Sequence, residues 1–291
     1  MSRTEQVKKR LDGVGAEWTT WLEADVVAHF GDADAEYRAV RDGGAGLVDW
    51  SVRDTLVLSG PDAIPWFQGL VTSDLMELRE EGAGQLTAVV NRIGRFIAEA
   101  RALHMPEVLV LDLEPNLVGR GLITHLRRHV ITEDVTIENR SETTARLHLA
   151  GEAAASVLDD LCETHRPVAE LDAYHGTWGE LGSEGVVIQR VDWTGEPGFD
   201  VSCASDAAHR IFNALYGRDE VEPVGFEPLE TMRIEAGMPR FGAELNDAYI
   251  PLESGLDHAI SFDKGCYLGQ EIIARLDSRG TPARKLRALV F

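Results

Sequence analysis

Basic residues, cysteine and long apolar runs are all scarce in this chain of 291 residues. No apolar stretch approaches the roughly 18–20 residues that a membrane helix needs. The opening segment, Met1 to Asp12, is charged and lacks the apolar core of a secretory leader. These absences predict a cytoplasmic protein that does not span a membrane. Lys and Arg number 28 against 49 Asp and Glu, a formal charge of −21. Such a chain repels nucleic-acid phosphate and anionic lipid on average, so neither is expected as a partner. The only lysines are Lys8, Lys9, Lys264 and Lys285. An acidic, lysine-poor chain fits either a salt-adapted cytoplasm, where self-repulsion is screened, or a GC-rich genome that favours arginine codons. The three cysteines, Cys162, Cys203 and Cys266, have no CxxC spacing, which excludes a disulfide framework and a zinc knuckle. The nine histidines form no HExxH or HxH pattern, so no metal site is expected. A GxGxxG after a strand, a P-loop and a GxSxG are also absent, which argues against nucleotide-phosphate chemistry and serine hydrolysis.

What remains is ordinary globular material, 44% hydrophobic and 26% charged. Its length suits one large domain or two to three compact ones. Residues 1–44 read as a polar, helical N-terminal segment, with an amphipathic helix over Ala16–Phe30. Strand signals follow at 46–50 and 54–60, the second closed by a Gly-Pro turn before a helix that opens near Pro61. Further strands are expected at 86–90, 96–104, 107–113, 136–139, 145–150, 185–191 and 199–202, with helices at 117–128, 205–216 and 227–236. Leu147-His-Leu-Ala-Gly151 repeats the rhythm of Leu56-Val-Leu-Ser-Gly60, each a strand ending in glycine before a helix, which hints at an internal duplication. The last residues, 285–291, alternate like a strand. Strands and helices mix without a steady βαβ period, so the class is α+β.

Three segments carry side chains suited to chemistry. Lys264-Gly-Cys-Tyr-Leu-Gly-Gln-Glu271 places a cation, a thiol, a phenol and a carboxylate close together. A lysine beside Cys266 lowers a thiol pKa and favours the thiolate; alternatively this is a tight turn with Cys266 as a small buried hydrophobe. Asp192-Trp-Thr-Gly-Glu-Pro-Gly-Phe-Asp200 is a rigid loop. Its Glu196 and Asp200 can accept from the N–H edge of a heterocycle and Trp193 can stack on it, or the segment is a hairpin turn with solvated acids. In Met232-Arg-Ile-Glu-Ala-Gly237, the i,i+2 spacing of Arg233 and Glu235 keeps them off one helix face, and an inward arginine needs a carboxylate or phosphate.

In order along the chain, these blocks resemble the tetrahydrofolate-binding GcvT/YgfZ superfamily. Gly46-Leu-Val-Asp-Trp50, Leu58-Ser-Gly-Pro-Asp-Ala63 and Leu70-Val-Thr-Ser-Asp-Leu75 are similar to its N-terminal block. Thr194-Gly-Glu-Pro-Gly-Phe-Asp200 resembles its TGExGFE motif, and Arg233-Ile-Glu-Ala-Gly-Met-Pro239 its RxEAGxP motif. Lys264 to Glu271 is similar to the KGCYxGQE signature of the YgfZ branch, which is associated with folate-dependent assembly or repair of iron–sulfur clusters. The resemblance implies two intertwined α+β lobes over 45–280, dividing near residue 142, with tetrahydrofolate in a central opening. It makes 281–291 the start of a C-terminal β-barrel domain that is largely missing here. It places Asp200, Arg233, Trp193, Glu196 and Tyr267 at the folate, and Cys266, Lys264 and Glu99 at the chemistry. Asp200 stands where the aminomethyltransferases have Glu, Trp193 where they have Tyr, and Glu99 where they have Asp; Ala98 replaces an acidic neighbour. Two functions follow from the resemblance. The first is a folate-binding accessory protein of iron–sulfur metabolism, with client or assembly proteins as partners. The second is a tetrahydrofolate-dependent aminomethyl- or methyltransferase.

Overall fold

The computed structural model describes residues 2–11, 13–280, 282 and 284–287. Two compact units emerge, each built from two stretches of chain: Met1–Arg53 with Arg140–Met238, and Asp54–Asn139 with Pro239–Phe291.

The first unit opens with α1 (Arg3–Arg10), capped by Ser2 and Glu5 in a reciprocal capping box. The helix expected over Ala16–Phe30 is instead a hairpin of β1 (Glu17–Trp21) and β2 (Ala24–His29). Trp18, Thr19, Thr20, Trp21, Val26 and Val27 are the aromatic and β-branched residues that strands favour. The two-residue turn uses Leu22 and Glu23, both at positive φ (47° and 67°). That is the backbone of a type I′ turn without its usual Asn-Gly signature, which hid the hairpin. Next come α2 (Ala33–Arg41) and β3 (Ala45–Asp49). The chain then builds the second unit and returns at residue 140.

In the second unit, β4 (Asp54–Ser59) leads to α3 (Ala63–Gln68), then to a meander of β5 (Gly84–Val90), β6 (Phe96–Met105) and β7 (Val108–Leu113). A π-turn at Val118–Leu122, α4 (Ile123–Arg127) and β8 (Thr136–Asn139) follow. The sheet order is β5-β6-β7-β4-β8, antiparallel throughout. Back in the first unit lie β9 (Thr144–Ala150), α5 (Ala154–Leu161), β10 (Cys162–Thr164), β11 (Gly176–Leu181), β12 (Glu184–Arg190), β13 (Gly198–Ala204), α6 (Ala208–Tyr216), β14 (Val221–Pro223) and α7 (Phe226–Glu235). Their seven-stranded sheet runs β10-β11-β12-β13-β9-β3-β14, with only β14 parallel to its neighbour. The segment from Pro239 rejoins the second unit and ends in α8 (Gln270–Arg279).

Alternation along the strands sorts each sheet into two faces. In the first unit Leu147, Leu149, Phe199 and Val201 share a core with Val157 and Leu158 of α5 and Ile211, Phe212 and Leu215 of α6. The strand residues between them, Arg146, His148, Asp200 and Ser202, occupy the other face. In the second unit Leu56, Leu58, Leu109 and Leu111 are buried on one face, while Thr55, Arg101 and Asp112 lie on the other. The barrel strand expected over 281–291 falls partly outside the described residues. Residues 284–287 form no strand; the Leu286 amide donates to the Glu253 carbonyl (2.8 Å).

Candidate functional site

The polar face of the seven-stranded sheet carries a buried polar row. The register aligns Gln189, Asp200, His148 and Val48 across β12, β13, β9 and β3. His148 and Asp200 have 0% and 1% of their surface exposed, and Nδ1 of His148 lies 2.8 Å from Oδ1 of Asp200. A carboxylate only accepts, so Nδ1 carries the proton. Two residues back on β9, Nε of Arg146 stands 3.9 Å from Oδ2 of Asp200 and donates to the Ser202 hydroxyl (3.3 Å). Burying charge in this way is costly unless every partner is in place, so buried charged rows mark candidate sites.

Between β12 and β13 the loop 192–198 is fixed at both ends. Asp192 accepts from Nε of Arg190 and from the Gly198 amide (3.0 Å). Trp193 is buried, and the Arg53 guanidinium lies 5.7 Å from its ring centroid. Glu196 pairs with Arg41 (2.8 Å), which also reaches Glu235 (2.9 Å), and the Tyr37 hydroxyl donates to Glu235 as well. Glu196 therefore ties its loop to α2. On α7, Arg233 points inward and Glu235 outward, as their spacing requires. Arg233 grips Glu230 through Nε and Nη2 and donates to the Met238 carbonyl (2.6 Å). The partner that an inward arginine demands is thus supplied one helical turn away.

The second unit holds Glu99 on β6, 8% exposed and directly opposite Ala88. Arg101, two residues on and on the same face, makes a cross-strand ion pair with Asp112 (3.0 Å). A second buried pair joins Arg240 to Glu114 (3.0 Å).

The 264–271 segment is a clasp. The Lys264 ammonium donates to the carbonyls of Gln68 (2.7 Å), Val71 (2.9 Å) and Ser73 (2.6 Å). Those three bonds use all three of its donors, and the cation also sits 5.0 Å from the Tyr267 ring centroid. Burial pushes the Lys264 pKa down to about 8, against an opposing pull from Asp74. Burial also pushes the Tyr267 phenol up to about 12. The Leu268 amide donates to the Gly69 carbonyl (2.9 Å). Gly269 takes φ +79°, and a Cβ there would meet the Asn91 carbonyl oxygen at 2.4 Å, so only glycine fits. The ammonium expected to tune the thiol is thus committed to the 68–73 loop. Cys266 is exposed rather than a buried hydrophobe, whereas Cys162 and Cys203 are buried and pushed by burial up to about 11 and about 12.

The sequence-predicted residues therefore fall into two sets: Trp193, Glu196, Asp200 and Arg233 in the first unit, and Glu99, Lys264, Cys266 and Tyr267 in the second. Sequence reasoning missed His148, Arg146 and Gln189. In Ala145-Arg-Leu-His-Leu-Ala150 the alternation is visible, but alternating polar residues read as a solvated face. Among the described residues no group of three or more His, Cys, Asp or Glu is arranged to hold a metal ion, and no helix is long and apolar enough to cross a membrane.

The family described as GCVT N-terminal domain matches residues 7–264, and the chain belongs to it. An aminomethyltransferase of Halalkalibacterium halodurans is 31% identical over 265 residues, covering 89% of this chain and 71% of that protein. An aminomethyltransferase of Geobacillus kaustophilus is 30% identical over the same shares. The crystal structure of glycine cleavage system aminomethyltransferase T from Bartonella henselae superposes with a TM-score of 0.84 at 20% identity, over 95% of this chain and 75% of that one. That likeness establishes the mixed α+β fold.

Proposed function

We propose that the chain is a tetrahydrofolate-dependent one-carbon transferase of the aminomethyltransferase type. The curated relatives are named aminomethyltransferases, and this supports the transferase over the iron–sulfur accessory protein. The observation that carries the reading is the buried Asp200 carboxylate on the polar sheet face, held by His148. A reduced pterin presents an edge of N–H donors, and a fixed carboxylate is the acceptor that edge needs. The acceptor therefore fits the substrate's donor edge. In this reading Asp200 holds the pterin, and Trp193 and Arg233 shape its surroundings. In the clasp Lys264, Tyr267, Leu268 and Gly269 each have a packing role, so these four positions need no thiol chemistry to account for them.

An anaerobic assay with tetrahydrofolate and an aminomethyl donor, reading formation of methylenetetrahydrofolate, tests this. Glu99→Gln is expected to lower turnover by about 100-fold or more, the scale of a positioned acid–base group. The parent and Cys266→Ser together separate the two readings. Turnover by the parent that is retained with serine supports the transferase without a thiol role; no turnover by the parent contradicts the transferase and favours the accessory reading.

A further inference from the structure

A buried imidazole beside a buried carboxylate is a candidate for a functional role. His148 is fully buried, and its Nε2 has no hydrogen-bond partner in the structure. Its Nδ1 is spent on Asp200. Nor is its space incidental. A Cβ on Gly198 would come within 3.0 Å of Cε1 and 3.3 Å of Nε2 of His148, and within 2.4 Å of the Val191 carbonyl oxygen. The second glycine of Thr194-Gly-Glu-Pro-Gly-Phe-Asp200 thus leaves room for the ring. Arg146 also stands beside this carboxylate, with Nε 3.9 Å from Oδ2 of Asp200.

We propose that His148 is a positioning residue for the Asp200 carboxylate. Its Nδ1–H pins Oδ1 and so fixes the rotamer in which the carboxylate accepts from a pterin's N–H edge. An aspartate has one methylene fewer than a glutamate, and a short acid reaches a ligand only from one well-defined rotamer. His148 supplies that definition from the directly facing strand. The inference rests on the reading of Asp200 as the pterin-binding acid.

The test uses the full chain and tetrahydrofolate, with the dissociation constant measured by anaerobic calorimetry and the melting temperature measured alongside. His148→Phe keeps the ring volume and removes both nitrogens. His148→Asn keeps a donor near the position of Nδ1. His148→Phe is expected to weaken binding at least 10-fold and to raise KM more than it lowers kcat. His148→Asn is expected to restore affinity to within about 3-fold of the parent, a rescue that a purely packing role would not give. Asp200→Asn is expected to weaken binding, and adding His148→Phe to it should change affinity little further. The proposal is overturned if His148→Phe binds like the parent, if His148→Asn binds as weakly as His148→Phe, or if the two losses multiply in the double variant. Unchanged binding in Asp200→Asn overturns the reading of Asp200 itself, and His148 with it. Asp200→Asn weakened beside an unaffected His148→Phe overturns the histidine alone. Should His148→Phe fail to fold, His148→Asn and the Asp200→Asn/His148→Asn double variant decide by the same criteria.

Discussion

In the second unit β4 lies between β7, the last strand of a three-strand meander, and β8; in the first unit β9 lies between β13, the last strand of the meander β11-β12-β13, and β3. Both β4 and β9 are followed by a glycine at positive φ, Gly60 (103°) and Gly151 (130°), and both lead into a helix. At each glycine a Cβ would strike a backbone oxygen: Asp134 at 2.2 Å from Gly60, Gly44 at 2.3 Å from Gly151. The strand preceding each repeat is exchanged. β3 comes just before β4 in sequence but pairs with β9, and β8 comes just before β9 but pairs with β4. With the two glycines aligned, His148 falls at Val57 and Asp200 at Val110, which face each other across β4 and β7. The second sheet therefore closes this position with a valine pair. A buried His–Asp pair at the matching place is thus not something the frame requires.

The comparison can be broken most severely through the charges of the second unit. Arg101→Met removes the buried cation that faces Asp112 and is expected to cost about 3–5 kcal/mol. The double variant Arg101→Met/Asp112→Leu should recover most of that loss in chemical denaturation. Equal losses in the single and double variants would mean that the pair is needed for more than charge balance. Next in size are Gly60→Ala and Gly151→Ala. A side chain at positive φ against a carbonyl oxygen should cost roughly 2–4 kcal/mol in each. Tolerance of one alone would show that the two turns are not the same device. Lys264→Met strips three carbonyls of their donor and should cost about 1–3 kcal/mol; a change within about 0.5 kcal/mol would refute the clasp. Smallest of all is the effect of making the first unit copy the second. His148→Val/Asp200→Val combined with Arg146→Met, which removes the buried cation beside Asp200 as well, should stay within about 2 kcal/mol of the parent, because replacing a whole buried polar group by apolar residues is often neutral. A large loss of stability there would make the pair structural rather than functional.

Much of this frame was legible in the sequence, and the exceptions have physical reasons. Strands such as β4, β6, β7, β9, β12 and β13 announced themselves by apolar runs or alternation, and the Leu56–Gly60 and Leu147–Gly151 echo pointed to the shared strand–glycine–helix turn. The β1–β2 hairpin did not, because Leu22 and Glu23 adopt a turn that sequence usually marks with Asn-Gly. Short strands such as β10 and β14 have three residues each, too few to show a period. At the candidate site, Asp200 and Arg233 were singled out through motifs, and both are buried. His148 was not, because alternation says which residues share a face but not whether that face is buried. Lys264 was misjudged for a related reason: adjacency to Cys266 in sequence suggested a charge effect, whereas the ammonium reaches carbonyls nearly two hundred residues away.

The central claim is that the first unit's buried carboxylate binds reduced folate. An anaerobic calorimetric titration of tetrahydrofolate into the parent chain and into Asp200→Asn tests it most directly. The account expects saturable one-to-one binding by the parent and at least 10-fold weaker binding by the variant. Equal affinity in the two, or no binding by the parent, would contradict it.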